Sequence, residues 1–394
     1  MTVEAVIGAN YGDEGKGLFT EYLCRSRPKS LVVMSNGGCQ RGHTVNNVEK
    51  NIRHVFHHFG SGTLLGVPTL YSKTFLLNPM MFADEYHVLE DDGVTPNAYR
   101  MPGCTLQLPS DMFINQQLEK HRSMSKGRHG SCGWGIWETV VRNRDFKPLA
   151  FEEFAALDTS AKKKLMNDTF DWQIENRLKC ENGICIDESL EALVRSDGFM
   201  NHFISDFMMM QNLVPSLEEL KCDDVVELAA NVGYETVIVE NAQGLLLDMQ
   251  YAPPDESGKT SVHATPSSTG MKGASEALGS FKHTEDIIPN YVTRSYITRH
   301  GAGPFPEETV GLSYPDETNA PNEWQGSLRF GKMDFDNAAA LFDRTSADAH
   351  SCGCVPRLVI THLNEARSLH LEDNANYFSY EDDSSKVKER TISA

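Results

Sequence analysis

The stretch "GANYGDEGKG" (8–17) places Gly12, Gly15 and Gly17 around Asp13 and Lys16, directly after the apolar run "EAVI". Glycines there let the backbone approach an anion closely, and the helix that follows would offer its N-terminal dipole. Lys16 could neutralise a transferring phosphoryl group. Asp13 could hold Mg2+ or take a proton. A phosphate loop of the usual kind places Ser or Thr after its lysine, whereas Gly17 follows here. A second glycine-rich stretch, "SNGGCQRGHTV" (35–45), carries His43, which could serve as an acid or as a donor to a developing oxyanion.

Both stretches must be positioned by secondary structure. "VEAVIG" (3–8) predicts a buried strand, "GKGLFTEYLCRS" (15–26) a helix and "SLVVMSNGG" (30–38) a second strand. Strand, loop, helix and strand make a βαβ unit with a parallel sheet, and ligands collect at the carboxyl ends of such strands. Both glycine loops should therefore face one crevice. Helical patterns dominate about 110–230, and the Met208–Met210 run there is expected to fill core. Strand-like runs return at 235–244, 290–298 and 357–364. The fold class is α/β: a single large domain, 1–394, around a mainly parallel sheet. It carries a phosphate-loop-like turn after the first strand, a mostly helical insertion at about 110–230 and a polar tail at about 380–394. The loop "YAPPDESGKTSVHATPSSTG" (251–270) follows a strand and is a functional candidate.

A net charge of −19 argues against a polyanion partner, although a small anionic ligand needs only a local cradle. No apolar run is long enough for a membrane span, and "MTVEAVIGAN" has no basic leader. Nine cysteines without a secretion signal suggest reduced thiols, hence a cytoplasmic protein. "SCGC" (351–354) and "CENGIC" (180–185) lack a second pair at zinc-site spacing.

Six strings occur in an order that resembles the adenylosuccinate synthetase family: "GDEGKG", "GGCQRGHTV", "FHHFGSG" (56–62), "GSCGWGI" (130–136), "VENAQGLLLD" (239–248) and "YITRHGAGPFPEE" (296–308). The resemblance covers about 3–310 and is thin beyond. It implies a Mg2+-dependent, homodimeric ligase. Such an enzyme phosphorylates the 6-oxygen of a purine monophosphate with a nucleoside triphosphate, then displaces the phosphate with aspartate. On this resemblance Asp13 takes the N1 proton and binds Mg2+, with the Gly42 carbonyl as second metal ligand. His43 and Lys16 stabilise the phosphoryl group in flight, and Gln243 contacts the purine near its 6-oxygen. Thr265, Ser131 and Cys132 fall at the 5′-phosphate, and Arg144 (or Arg142) is the arginine lent across the dimer. Gly12, Gly15, Gly17, Gln40, Arg299, His362 and Asn364 complete the nucleotide sites.

Three departures bear on substrates. "THLN" (361–364) places Asn364 where the family reads guanine with an aspartate, which favours ATP or dATP as donor. The arginine-rich aspartate loop is replaced by "EWQGSLRFGK" (323–332), leaving Arg329, Arg299 or Lys332 for the amino acid, and Trp134 stands where an arginine is expected. Gln40 replaces an asparagine near the 6-oxygen. IMP or dIMP with aspartate is the leading substrate expectation. The alternative is a viral-type conversion of dGMP to a succinylated 2-aminoadenine nucleotide with ATP or dATP, and a non-catalytic nucleotide sensor is the rival from another class.

Overall fold

The structure is a computed structural model that describes residues 1–124, 130–217, 222–254, 258, 261–265, 267–316, 318–319, 321 and 326–368. Its strands are β1 (Thr2–Gly8), β2 (Ser30–Met34), β3 (His43–Asn47), β4 (Ile52–Phe56), β5 (Thr69–Tyr71), β6 (Ala98–Arg100), β7 (Thr236–Gly244), β8 (Ile287–Arg294), β9 (Ile297–His300), β10 (Leu328–Gly331) and β11 (Arg357–Thr361). Seven of them form one sheet in the order β11-β8-β1-β7-β2-β5-β6, every neighbouring pair parallel. The pairs β3-β4 and β9-β10 are antiparallel ribbons beside it.

The central strands are buried on both faces, which is why they read as unbroken apolar runs. Val3, Ala5, Val6 and Ile7 of β1, Leu31–Met34 of β2 and Val237–Val239 of β7 form the centre of the core. β1 and β2 enclose α1 (Lys16–Ser26) in sequence but are not neighbours in the sheet. β7 lies between them, pairing Val237 with Val3 on one side and with Leu31 on the other.

Three expected strands are shorter than their apolar runs. β2 stops at Met34, before the glycines. The run 290–298 divides after Arg294, where the chain bends at Ser295 and Tyr296 into the separate β9. β11 stops at Thr361 because His362 adopts a left-handed backbone, φ 58°, that no strand accommodates.

The helices α2 (Pro79–Asp91), α3 (Pro109–Met124), α4 (Ile136–Asp145), α5 (Phe151–Ala155), α6 (Thr159–Gln173), α7 (Glu188–Arg195), α8 (Asp197–Leu213) and α9 (Val225–Val232) include the expected helical insertion. Helices α10 (Met271–Ala277), α11 (Phe335–His350) and α12 (Leu363–Ser368) complete the chain as described. In the methionine run, Met210 is buried and Met209 packs on the core, but Met208 is 54% exposed. Three consecutive helical positions span too wide an arc to share one buried face. The polar tail at 380–394 lies outside the described residues.

Candidate active site

All seven main strands run in one direction, so the loops after β1, β2, β7, β8 and β11 emerge at one edge of the sheet. The first two loops touch there: a Cβ on Gly17 would lie 2.8 Å from the His43 Cβ. Only glycine lets α1 approach β3 so closely.

Within the first loop, Gly12 (φ 92°), Asp13 (φ 59°) and Gly15 (φ 91°) all have left-handed backbones. A residue that sequence reasoning passed over, Glu14, folds into the turn. Its Oε1 accepts the amides of Asn10 (3.0 Å) and Gly12 (2.9 Å), and its Oε2 accepts from Lys16 Nζ (2.9 Å). Burial works against this carboxylate, but Lys16 and the amides hold its pKa below the usual range. Lys16, 3% exposed, is thus committed to an internal ion pair. The second acid in "GDEGKG" was the signal for it.

The Asp13 carboxylate is half-buried and receives no hydrogen bond among the described residues. Burial raises its pKa, against the opposing charges of Arg294, His300 and Lys16. Arg294 donates from Nε to the Asp13 carbonyl and from Nη2 to Asp316 (2.8 Å), bracing the strained residue. A hard, unpartnered oxygen donor of this kind fits Mg2+. Gly42, the second expected ligand, is exposed in the turn before β3. No three His, Cys, Asp or Glu side chains that could hold a metal come together among the described residues. Any ion here would therefore complete its shell from nucleotide phosphates and water.

His43 is buried at the start of β3. Its Nδ1 lies 2.7 Å from Glu240 Oε1 on β7. Glu240 also accepts from the Ser61 amide (3.1 Å) and hydroxyl, and Arg41 Nη1 stands 3.4 Å away. Desolvation tends to raise the Glu240 pKa, but Arg41, His43 and Ser61 bring it down to about 2. Burial, then Arg41, lowers that of His43 to about 4. The pair is therefore a neutral imidazole on a carboxylate. The Glu240 bond fixes Nδ1 as the protonated nitrogen and leaves Nε2 as an acceptor. That Nε2 is buried with no hydrogen-bond partner among the described residues, as is Gln40 Nε2 in the same loop. Glu240, Arg41 and Ser61 were missed in sequence, although an acid interrupting the apolar run "VIVE" marks Glu240.

Other expected residues have their own local partners. Gln243 Oε1 accepts from Thr265 Oγ1 (3.0 Å), so the residue expected at the purine and one expected at the 5′-phosphate meet. In the 130–135 loop, Ser131 Oγ donates to Asn115 (2.9 Å), and burial pushes the Cys132 thiol up to about 11. Trp134 is half-buried, its carbonyl accepting from Gln107 (2.6 Å). His362 bonds Thr361 through Nδ1 (2.8 Å), and burial lowers its pKa to about 4. Asn364 is exposed in α12.

Three arginines require correction. Arg142 is 1% exposed and bound to Asp111 and the Leu106 carbonyl, so it is a core residue, and Arg144 is the exposed one. Arg299 donates to the carbonyls of Pro304 (2.9 Å) and Ala302 (3.0 Å). Arg329, its cross-strand partner, donates to Gly301 and Gly303 (2.9 Å each) and to Glu308. Both guanidinium groups brace the "GAGPFP" turn, as two cations facing each other across a ribbon must find separate acceptors. Lys332 is exposed, and of the 323–332 segment residues 323–325 lie outside the described residues.

Comparison with known proteins agrees with this arrangement. The chain matches the family described as adenylosuccinate synthetase over residues 5–328. It is 26% identical over 312 residues to the adenylosuccinate synthetase of Lactobacillus acidophilus, covering 79% of this chain and 66% of that protein. To that of Psychromonas ingrahamii it is 29% identical over 311 residues, covering 77% and 63%. The chain thus spans a little under two thirds of the length of these relatives. The structure of a fully ligated adenylosuccinate synthetase from Plasmodium falciparum is similar in fold, with a TM-score of 0.63, 17% identity and coverage of 84% and 72%. So is the cyanophage S-2L succinoaminodeoxyadenylate synthetase bound to dGMP and dATP, with a TM-score of 0.54, 12% identity and coverage of 91% and 92%. With the match running through both glycine loops, His43, Glu240 and Gln243, this chain belongs to the adenylosuccinate synthetase family.

Proposed function

We propose that this protein is a carbon–nitrogen ligase that activates the 6-oxygen of a purine monophosphate, IMP or dIMP, by phosphorylation and replaces it with the amine of aspartate. The observation that carries this reading is the buried, unpartnered Nε2 of His43, held by Glu240 beside the glycine loop of Asp13 and Lys16. Asp13, with a raised pKa, accepts the N1 proton as the 6-oxygen attacks the γ-phosphorus. The nucleoside diphosphate leaves, with Lys16 released from Glu14 to meet the developing charge. The amine then attacks C6, and the C6–O bond breaks to release phosphate. His43 Nε2, which has no hydrogen-bond partner among the described residues, faces this transfer, and a proton taken up there as the anionic phosphates bind lets it donate to the phosphoryl group. Mg2+, held through Asp13, the Gly42 carbonyl and the phosphates, would supply charge neutralisation. Gln243 with Thr265, and Ser131 and Cys132, would hold the monophosphate, and Asn364 would meet the donor base. A homodimer in which Arg144 reaches the neighbouring site completes the proposal.

A second reading has dGMP as acceptor and ATP or dATP as donor. Its support is the near-complete mutual coverage with the cyanophage enzyme, together with Asn364 in place of a guanine-reading acid. A phosphate-release assay decides between them. IMP, dIMP, GMP and dGMP are crossed with ATP, dATP and GTP, with aspartate present or withheld. Release dependent on IMP or dIMP and aspartate is the expected result. Release with dGMP alone selects the second reading. Binding without release under every combination would mean a nucleotide sensor.

A further inference from the structure

The 130–135 loop is held from beneath by one face of α3. Asn115 Oδ1 accepts from Ser131 Oγ (2.9 Å) and the Gly135 amide (3.1 Å). One turn on, Glu119 Oε2 accepts the amides of Gly130 (3.0 Å) and Ser131 (3.2 Å). Gln116 Nε2 donates to the Gly133 carbonyl (3.2 Å). From the other side the loop presses on the "GAG" turn: a Cβ on Gly130, whose φ is 77°, would lie 2.6 Å from the Ala302 amide.

Glu119 stands out in this set. It is 2% exposed, and its Oε1 is buried without a hydrogen-bond partner among the described residues. The guanidinium of Arg122 is 3.9 Å from that oxygen. A carboxylate so placed is costly unless its bonds do a necessary job, and both bonds to Oε2 go to loop amides.

We propose that Glu119 is the positioning residue of the monophosphate loop. Its carboxylate ties the Gly130 and Ser131 amides into the protein interior and so fixes the shape that the remainder of the loop, Cys132 and Gly133, presents to a purine nucleoside 5′-monophosphate. Glu119 touches no substrate itself. The inference rests on the reading of this loop as the 5′-phosphate site.

The experiment is titration calorimetry of the full chain with IMP and dGMP, and separately with ATP and GTP, in the presence of Mg2+. E119A removes the acceptor for both amides, and E119Q keeps an acceptor oxygen in nearly the same place. E119A should bind the monophosphate at least about tenfold more weakly, as two charge-assisted hydrogen bonds are lost. E119Q should stay within about threefold of the parent, and triphosphate affinity should hold within about twofold in both variants. E119D, shorter by one methylene, replaces E119A if the latter does not fold, with the same expectation. Equal monophosphate affinity in E119A and parent, equal losses for both ligand classes, or E119Q as weak as E119A would each overturn the proposal. A parent chain that binds triphosphate but no monophosphate would instead overturn the reading of the loop, and the proposal with it.

Discussion

His43 and Glu240 meet at 2.7 Å between Nδ1 and Oε1, both buried, one on the ribbon strand β3 and the other at the centre of the main sheet. Arg41 and Ser61 surround the same carboxylate, so its charge is balanced without drawing a proton onto the imidazole. The consequence is a histidine of fixed tautomer whose second nitrogen has no hydrogen-bond partner among the described residues.

Substituting Glu240→Gln should therefore reduce turnover by roughly 10²-fold, because the amide no longer fixes the tautomer. Monophosphate and triphosphate affinities should change little. Steady-state kinetics beside direct binding measures this, and an unchanged kcat would remove Glu240 from the argument.

Acid should destabilise the fold before it reaches the carboxylates. The folded pKa of His43 and His362 is about 4 and that of His58 about 3, all lowered chiefly by burial. Unfolded histidine binds its proton near pH 6.5, so the unfolded chain gains protons first as pH falls. Stability is full above pH 6.5 and is lost on descent towards 4, by up to on the order of 3 kcal/mol per ring. Glu240 adds a loss between about 4.5 and 2. Thermal melts from pH 8 to pH 4 should show Tm falling from below about pH 6.5, and a flat profile to pH 5 would contradict the assignment.

The Glu14–Lys16 pair predicts a stability that depends on ligand. Glu14→Ala leaves Lys16 buried beside the loop without its carboxylate, which costs about 3–5 kcal/mol. A triphosphate offers Lys16 a new anion, so saturating nucleotide should restore more Tm in the variant than in the parent. Equal ligand-induced shifts in both would count against the exchange of Lys16 between partners.

The two arginines of α4 should separate cleanly. Arg142→Ala uncovers buried Asp111 and should cost about 3–5 kcal/mol in denaturant unfolding. Arg144→Ala should leave stability unchanged, since its partner Asp145 is an exposed neighbour, yet weaken monophosphate binding if the dimer lends it. A destabilised Arg144→Ala or an innocuous Arg142→Ala would reverse the assignment.

Asn364→Asp should raise the preference for GTP over ATP by about tenfold, as a carboxylate accepts charge-assisted bonds that adenine cannot donate. Competition assays with both triphosphates read this ratio directly.

The sequence by itself determined the family and the α/β class, and it marked two loops whose residue types could do chemistry. Apolar runs such as "VEAVIG" and "SLVVM" fix buried parallel strands, and the glycine spacing about Asp13 and Lys16 is a local property of the chain. What stayed illegible depended on contacts between distant segments. That β7 inserts between β1 and β2, and brings Glu240 to His43, follows from sheet order, which no local pattern encodes. A lone arginine reads alike whether it faces a ligand or a carbonyl, so only the tertiary structure could spend Arg142, Arg299 and Arg329 on the scaffold. Residue types that can do chemistry are written in the chain. Which of them are spent on the scaffold, and which stand beside the glycine loops with an atom to spare, is decided by packing.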